Sequence, residues 1–306
     1  MKIINGIENI TQRFKNPVVT LGNFDGIHIG HQRIFNRVIE KAKEIDGTSI
    51  VFTFEPHPSK VLSPSKKIRL ITPYSKKMLL LERLGIDITI NAHFDKKFAE
   101  IDAESFVKDI LVNKISPKYV IIGYNFCFGK NRQGDTEFLK KMGEIYGFGV
   151  EVIPKIIIND NPVNSTLIRK YIREGRISEA NHLLGRNFII IGKVIKGHSR
   201  GKALGYPTAN IETPFELYPK SGVYAVKVEV EGKIYNGVAN IGDNPTFGDK
   251  DISIEVYIMD FDGNLYDKEL RIFFVDRIRD EKKFGTPELL KEAIKNDILI
   301  AKEILK

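Results

Sequence analysis

The chain has 306 residues, 42% hydrophobic and 28% charged, with a formal net charge of +8. That length allows one large domain or two ordinary ones with real cores, and the composition excludes a largely disordered or fibrous chain. The single cysteine, Cys127, excludes an internal disulfide and a zinc cluster of cysteines, and it fits a reducing compartment, which we expect to be the cytoplasm. The first residues, MKIINGIENI, lack a charged segment followed by an apolar core, so no signal peptide is expected. No apolar stretch approaches the ~20 residues that span a bilayer, so no membrane partner is expected. The positive charge suits anionic partners. The pairs Lys66-Lys67, Lys76-Lys77, Lys96-Lys97 and Lys140-Lys141 nevertheless read as solvated helix or loop positions that serve solubility. No basic stripe with interleaved aromatics is present, so nucleic acid is not an expected partner.

In chain order, the apolar run around Val18, Val19 and Leu21 reads as a first strand. Behind it comes TLGNFDGIHIGHQ (Thr20 to Gln32), then a helical pattern over Arg33 to Ile45. SIVFTFEP (Ser49 to Pro56) reads as a buried strand ended by Pro56-His57-Pro58. Further strands are predicted at Ile88 to Phe94, Tyr119 to Phe126 and Gly149 to Pro154. Helices are predicted at Ser75 to Leu84, Ala103 to Val112 and Thr136 to Tyr146. Strands alternating with helices of this length indicate βαβ units around a parallel sheet, whose ligands sit beyond the carboxyl ends of the strands.

After about Gly185 the pattern changes. FIIIGKVI, GVYAVKVEVEGKIYNGVANIG, SIEVYIMDF and LRIFFVDRI are β-rich and separated by glycine-containing turns. They predict a small antiparallel barrel or sandwich, with a hairpin turning at Glu231-Gly232. One strong helix closes the chain. Thr286 suits its N-cap, Pro287 its first position and Glu288 its positive end, and Leu290, Ile294, Ile298, Ala301 and Leu305 share one face that is expected to pack on the barrel. The expected domains are 1–185 and 186–306.

His28 and His31 stand three residues apart at the mouth of the first predicted helix. A helix N-terminus offers unpaired N–H groups and partial positive charge, and two imidazoles there add donors. Gly22, Gly26 and Gly30 let backbone approach a ligand closely. The combination reads as a phosphate cradle. Two capping or packed histidines are the bland alternative. A zinc site is the poorer one, because the other histidines show no convergent spacing. Asp25 can hold the turn, contact a ligand or bind magnesium.

KGHSRGKALGYPTANI (Lys196 to Ile211) carries the second constellation. Gly197, Arg200, Gly201, Lys202 and Gly205 form a basic glycine-containing loop suited to phosphates. Thr208 and Asn210, two apart on an extended segment, face the same side and offer hard oxygen donors suited to Mg²⁺ with nucleotide phosphates. In SIEVYIMDF, strand alternation turns Glu255 away from Ile254 and Val256. A solvent-facing glutamate is the bland alternative there.

Several segments in order resemble one family. GNFDGIHIGHQRI resembles the His-x-Gly-His signature of nucleotidyltransferases. With FTFEPHP, IGYNFCFGKNRQGD and NSTLIRKYIREGRISEANHLLGR it is similar to the adenylyltransferase half of bacterial bifunctional riboflavin kinase/FAD synthetases. GYPTANI, GVANIGDNPTF and SIEVYIMDFDGNLY resemble the riboflavin kinase half. The resemblance implies a Rossmann-like nucleotidyltransferase domain followed by a six-stranded antiparallel β-barrel with a C-terminal helix. It implies synthesis of FMN from riboflavin and ATP, then of FAD from FMN and ATP.

Carried over by position, His28 and His31 would stabilise charge on the α-phosphoryl group. Gly22, Asn23, Phe24, Asp25, Gly30, Asn125, Ser165, Thr166 and Arg169 would contact ATP, as would Gly201 and Lys202 in the kinase half. Thr208 and Asn210 would hold Mg²⁺, and Glu255 would be the general base. Departures are Asn164 for a serine, Leu167 for a second arginine, Asn125 for an aspartate, Tyr257 for a histidine and Asp267 for a glycine. Leu167 removes one phosphate contact, so a chain with only one active half is the alternative reading. A flavin- or ATP-responsive nucleic-acid-binding regulator is another.

Overall fold

Near-continuous apolar runs place strands in the middle of a parallel sheet, because helices cover both of its faces. The computed structural model describes residues 1–196, 205–244 and 251–306. Its contacts divide into two units, Met1–Ser165 and Thr166–Lys306.

In the first unit the strands are β1 (Lys2–Asn5), β2 (Pro17–Leu21), β3 (Thr48–Glu55), β4 (Ile88–His93), β5 (Tyr119–Gly123) and β6 (Gly149–Ile153). They pair in the order β1-β4-β3-β2-β5-β6, all parallel. Every residue of β2 is buried. Val19 and Leu21 join the core with Phe52, Phe106 and Leu111, whereas Val18 packs with Ile34 and Val38 on the opposite face. That is the period of two of a strand with helices on both sides.

The helices of this unit are α1 (Ile29–Glu44), the short α2 (Pro58–Leu62), α3 (Tyr74–Leu84), the single turn α4 (Lys96–Ala99), α5 (Ala103–Ser105) and α6 (Thr136–Tyr146). A π-helix over Phe106–Ile115 continues α5. A two-stranded ribbon, β7 (Ile157–Ile158) with β8 (Asn161–Pro162), leads to the end of the unit. From β2 the chain builds outward on one side through β3 and β4, then crosses back to add β5 and β6 on the other. The switch therefore falls between β2 and β5, where sheets of this kind bind ligands beyond the strand ends.

Three expectations change here. The N-terminal residues form the edge strand β1. The fifth strand ends at Gly123 rather than Phe126, because Phe126 N–H bonds the Gly123 carbonyl and closes a turn (3.0 Å). Lys76 and Lys77 are not solvated, being only 7% and 6% exposed.

The second unit contains α7 (Ser165–Glu174, entering it at Thr166), α8 (Ile177–Leu184), six strands and α9 (Pro287–Ile304). The strands are β9 (Phe188–Ile195), β10 (Thr208–Glu212), β11 (Gly222–Val230), β12 (Lys233–Asn244), β13 (Asp251–Ile258) and β14 (Glu269–Asp280). They close an antiparallel barrel in the order β10-β13-β12-β11-β14-β9. Glu231 (φ 48°) and Gly232 (φ 83°) form the two-residue turn between β11 and β12, both left-handed as a type I′ hairpin requires. Asn181 seats α8 on the barrel: its amide donates to the Phe274 carbonyl (2.8 Å) and its oxygen accepts from Phe188 N–H (2.6 Å).

Thr286 caps α9 by accepting from Leu289 N–H, with Pro287 in the first turn. Ala301, Leu305 and Ile298 pack with Ala225, Val238, Tyr257 and Met259 of the barrel wall. Within that apolar face Asp297 is 3% exposed and takes a two-pronged ion pair from Arg279 of β14 (2.8 and 2.7 Å). Arg279→Ala leaves a buried carboxylate without its cation. The expected cost is about 3 kcal/mol, read as a lower unfolding free energy of this unit in denaturant titration. Asp297→Asn with Arg279→Ala together is expected to recover part of that loss.

Candidate active sites

The loop between β2 and α1 is shaped by interactions that its sequence makes possible. His28 is the N-cap of α1, with extended backbone, and its Nδ1 accepts from His31 N–H (3.3 Å). A nitrogen that accepts a hydrogen bond cannot carry the proton, so neutral His28 holds its proton on Nε2. The two imidazoles are stacked, with centroids 3.6 Å apart and planes 20° from parallel. The phosphate-holding and the capping readings of His28 are thus compatible: one ring nitrogen caps the helix and the other is a donor. Gly30 lies under the His28 ring, where a Cβ would meet ring atoms at 3.1 Å. Gly22 makes the same kind of room for the Phe24 ring, at 2.8 Å.

Phe24 is buried and packs edge-on against His31 (5.2 Å) and Phe35 (4.8 Å). Asp25 is 5% exposed. Its two carboxylate oxygens accept from Ile71 N–H and Thr72 N–H, both at 3.1 Å, so it ties this loop to the segment before α3. Ser165, the first residue of α7, donates its hydroxyl proton to the Asp25 carbonyl (2.8 Å). The structure thus gathers Gly22, Asn23, Phe24, Asp25, His28, Gly30, His31 and Ser165 around one helix N-terminus. Asn125 is exposed in the turn after β5, the strand across the switch point from β2. Thr166 (exposed) and Arg169 (half-buried) lie on α7, within its first two turns.

In the barrel, Thr208 and Asn210 alternate with buried Ala209 and Ile211 along β10. Asn210 stands directly opposite Glu255 of β13, and Thr208 Oγ1 donates to Glu255 Oε2 at 3.4 Å. Glu255 is half-buried between buried Ile254 and Val256, as alternation predicts. Thr208 is paired across the ladder with Tyr257, which packs toward α9, so this row belongs to the outer face of the barrel. Tyr257 stacks edge-on with Tyr206 (5.6 Å), and burial pushes its phenol up from the ordinary tyrosine value. Thr208 and Asn210, two neutral oxygen donors beside a carboxylate, are a set that fits a hard divalent cation carrying phosphate oxygens as well. Gly201 and Lys202, like Gly197 and Arg200, lie outside the described residues.

The FAD synthetase family profile matches residues 10–167, and the riboflavin kinase profile matches residues 184–305. A curated bifunctional riboflavin kinase/FMN adenylyltransferase of Buchnera aphidicola (from Acyrthosiphon pisum) is 39% identical, covering 99% of this chain and 98% of its own. The Escherichia coli K12 protein of the same description is 34% identical over 99% of this chain and 97% of its own. This chain belongs to the bifunctional riboflavin kinase/FMN adenylyltransferase family. A solved Streptococcus pneumoniae structure, described as a macrolide-efflux protein, superimposes with a TM-score of 0.92 at 30% identity, covering 99% of each chain. Among the described residues here, no helix is long and apolar enough to cross a membrane.

Members of a bifunctional riboflavin kinase/FMN adenylyltransferase family act on ATP and flavins, and two neighbourhoods here extend beyond the residues singled out by sequence. Asn240 of β12 flanks Glu255 on the side opposite Asn210, so the carboxylate has an asparagine on each neighbouring strand. The ladder register reveals it, and GVANIG alone gives no signal for it. Lys77 of α3 and Thr53 of β3 sit under the histidine loop, and a buried lysine there is hidden in a sequence pair that looks solvated.

Proposed function

We propose that the two halves of this bifunctional riboflavin kinase/FMN adenylyltransferase work in series, with phosphoryl transfer in residues 186–306 and adenylyl transfer in residues 1–185. The observation that carries the reading is the pair of separate polar clusters on unlike folds. One is a histidine pair at a helix N-terminus, and the other is a carboxylate flanked by neutral oxygen donors.

In the barrel, Glu255 accepts the proton of the riboflavin 5′-hydroxyl as that oxygen attacks the γ-phosphorus of ATP. The bond to the β-phosphate oxygen breaks, and FMN and ADP result. Thr208 and Asn210 would hold Mg²⁺ together with the ATP phosphates, and Gly201 and Lys202 would steady those phosphates. When bound, the ion neutralises charge on the transferring group. Thr208→Val and Asn210→Ala are each expected to raise the Mg²⁺ concentration needed for riboflavin phosphorylation by about tenfold or more. A Mg²⁺ titration in which both variants match the parent would remove these two residues from the metal site.

In the α/β domain, ATP phosphates lie over the N-terminus of α1, where backbone N–H groups and the helix dipole favour anions. A phosphate oxygen of FMN attacks the α-phosphorus, the bond to the β-phosphate breaks, and pyrophosphate leaves. His28, through Nε2–H, and His31 donate to the α-phosphoryl oxygens as charge builds there. Ser165 and Thr166 contact the triphosphate, and the Arg169 guanidinium clamps it. The main chain of Gly22 to Asp25 and the Asn125 side chain border the nucleotide. The cytoplasm, where ATP is plentiful and one thiol stays reduced, is the compartment this reading assigns.

A further inference from the structure

Lys77 is an expensive residue where it stands. An ammonium at 6% exposure has lost most of its water, which an apolar residue at the same position on α3 would not have needed. Its Nζ donates to Thr53 Oγ1 (3.1 Å) and reaches the Asn23 carbonyl at 3.4 Å. The Thr53 hydroxyl, itself fully buried on β3, reaches the same carbonyl at 3.4 Å. Asp25 and Glu55 line the recess into which Lys77 points. Burial pushes the Lys77 ammonium below the usual lysine value, and those two carboxylates oppose the push.

The carbonyl gripped in this way precedes a strained stretch. Phe24 has φ 51° and Ile27 has φ 39°, both left-handed and both bearing a full side chain. Conformations of this kind persist only where the surroundings over-determine them. A trans peptide is planar, so holding the Asn23 carbonyl toward Lys77 and Thr53 turns the Phe24 N–H the opposite way. The same conformation sets the Phe24 ring against His31, which stacks on His28.

We propose that Lys77, acting through Thr53 and the Asn23 carbonyl, is a positioning residue for adenylyl transfer, because it locks the strained 23–27 loop in the form that places His31 and His28. This rests on the assignment of those histidines to that reaction. Two side chains and one carbonyl form the device, and neither side chain needs to touch substrate.

The test uses the full chain with Lys77→Met, Thr53→Val, Thr53→Ser and His28→Ser. FAD formation from FMN and ATP is measured for kcat and each KM. Riboflavin phosphorylation and thermal unfolding are followed on the same preparations. Lys77→Met and Thr53→Val are expected to lower kcat by about 10²-fold, the scale of loss when a catalytic group is misplaced. Each KM is expected to stay within about threefold and kinase activity to persist. Thr53→Ser, which keeps the hydroxyl, is expected to restore most of kcat. Parental kcat per folded molecule in Lys77→Met and Thr53→Val, with only a lower unfolding temperature, would overturn the proposal by making the pair merely structural. A rise in KM with kcat retained would overturn it by making Lys77 a ground-state contact. If His28→Ser loses FAD formation while Lys77→Met keeps it, the lysine proposal alone fails. If His28→Ser keeps FAD formation, the histidine assignment fails and takes the lysine proposal with it.

Discussion

His28→Ser is expected to cut FAD formation from FMN by about 10²- to 10³-fold, the usual loss when one preorganised donor to a developing oxyanion is removed. Serine is chosen because it can still cap α1. Alanine would remove the cap as well, at about 1 kcal/mol, and would mix a folding effect with a chemical one. In the parent, Nδ1 of His28 is committed to His31 N–H, so serine keeps the cap and loses the Nε2 donor together with the ring stacked on His31. Riboflavin phosphorylation by the same variant is expected to match the parent. The comparison needs one preparation and two assays, and the kinase rate reports how much working enzyme is in the tube.

Glu255→Gln is expected to do the reverse. Losing a general base costs about 10²- to 10⁴-fold, so FMN formation falls by that amount while FAD formation from supplied FMN is retained. Glutamine preserves size and can still accept from Thr208 Oγ1, so the patch between β10 and β13 stays intact. The measurement is the initial rate of each half-reaction at saturating ATP. If either variant abolishes both activities in a folded chain, the assignment of one reaction to each cluster is wrong.

Much of the architecture was legible from pattern alone. Strand-helix alternation predicted the parallel sheet, and the β-rich second half predicted an antiparallel barrel or sandwich, of which the structure shows the closed barrel. The Glu231-Gly232 turn and the Thr286 cap were readable because turn and cap chemistry is local. Placing His28 and His31 at a helix mouth was equally local. What escaped depends on distant partners. Residues Lys2–Asn5 are too few to display a period, and only pairing with β4 makes them a strand. Tyr119 to Phe126 looked like one strand because aromatic residues continue past Gly123. Phe126 and Phe128 instead stack on each other in the loop (5.4 Å).

Charge misled in the same way. Lys77 in SKKMLLLE has the composition of a solvated helix face, and its burial follows from Thr53 and Asn23, far away in sequence. Asp297 interrupts an apolar helix face, and only Arg279, on the strand β14 beneath the helix, explains it. At the candidate sites the residue types were visible, but their relations were not. The facing of Asn210, Glu255 and Asn240 is a matter of register between strands, which no single segment encodes.

One chain that runs two chemically distinct transfers on one flavin leaves a different trace from each phosphate of ATP. Purified protein is incubated with riboflavin, Mg²⁺ and ATP labelled either at the γ- or at the α-phosphate, and the flavins are separated over time. γ-Label is expected to enter FMN first and then to be carried into FAD. α-Label is expected to enter FAD alone, together with release of pyrophosphate. Unlabelled flavin with either ATP would rule out two transfers in series on this chain, as would α-label in FMN or FMN accumulating with no FAD.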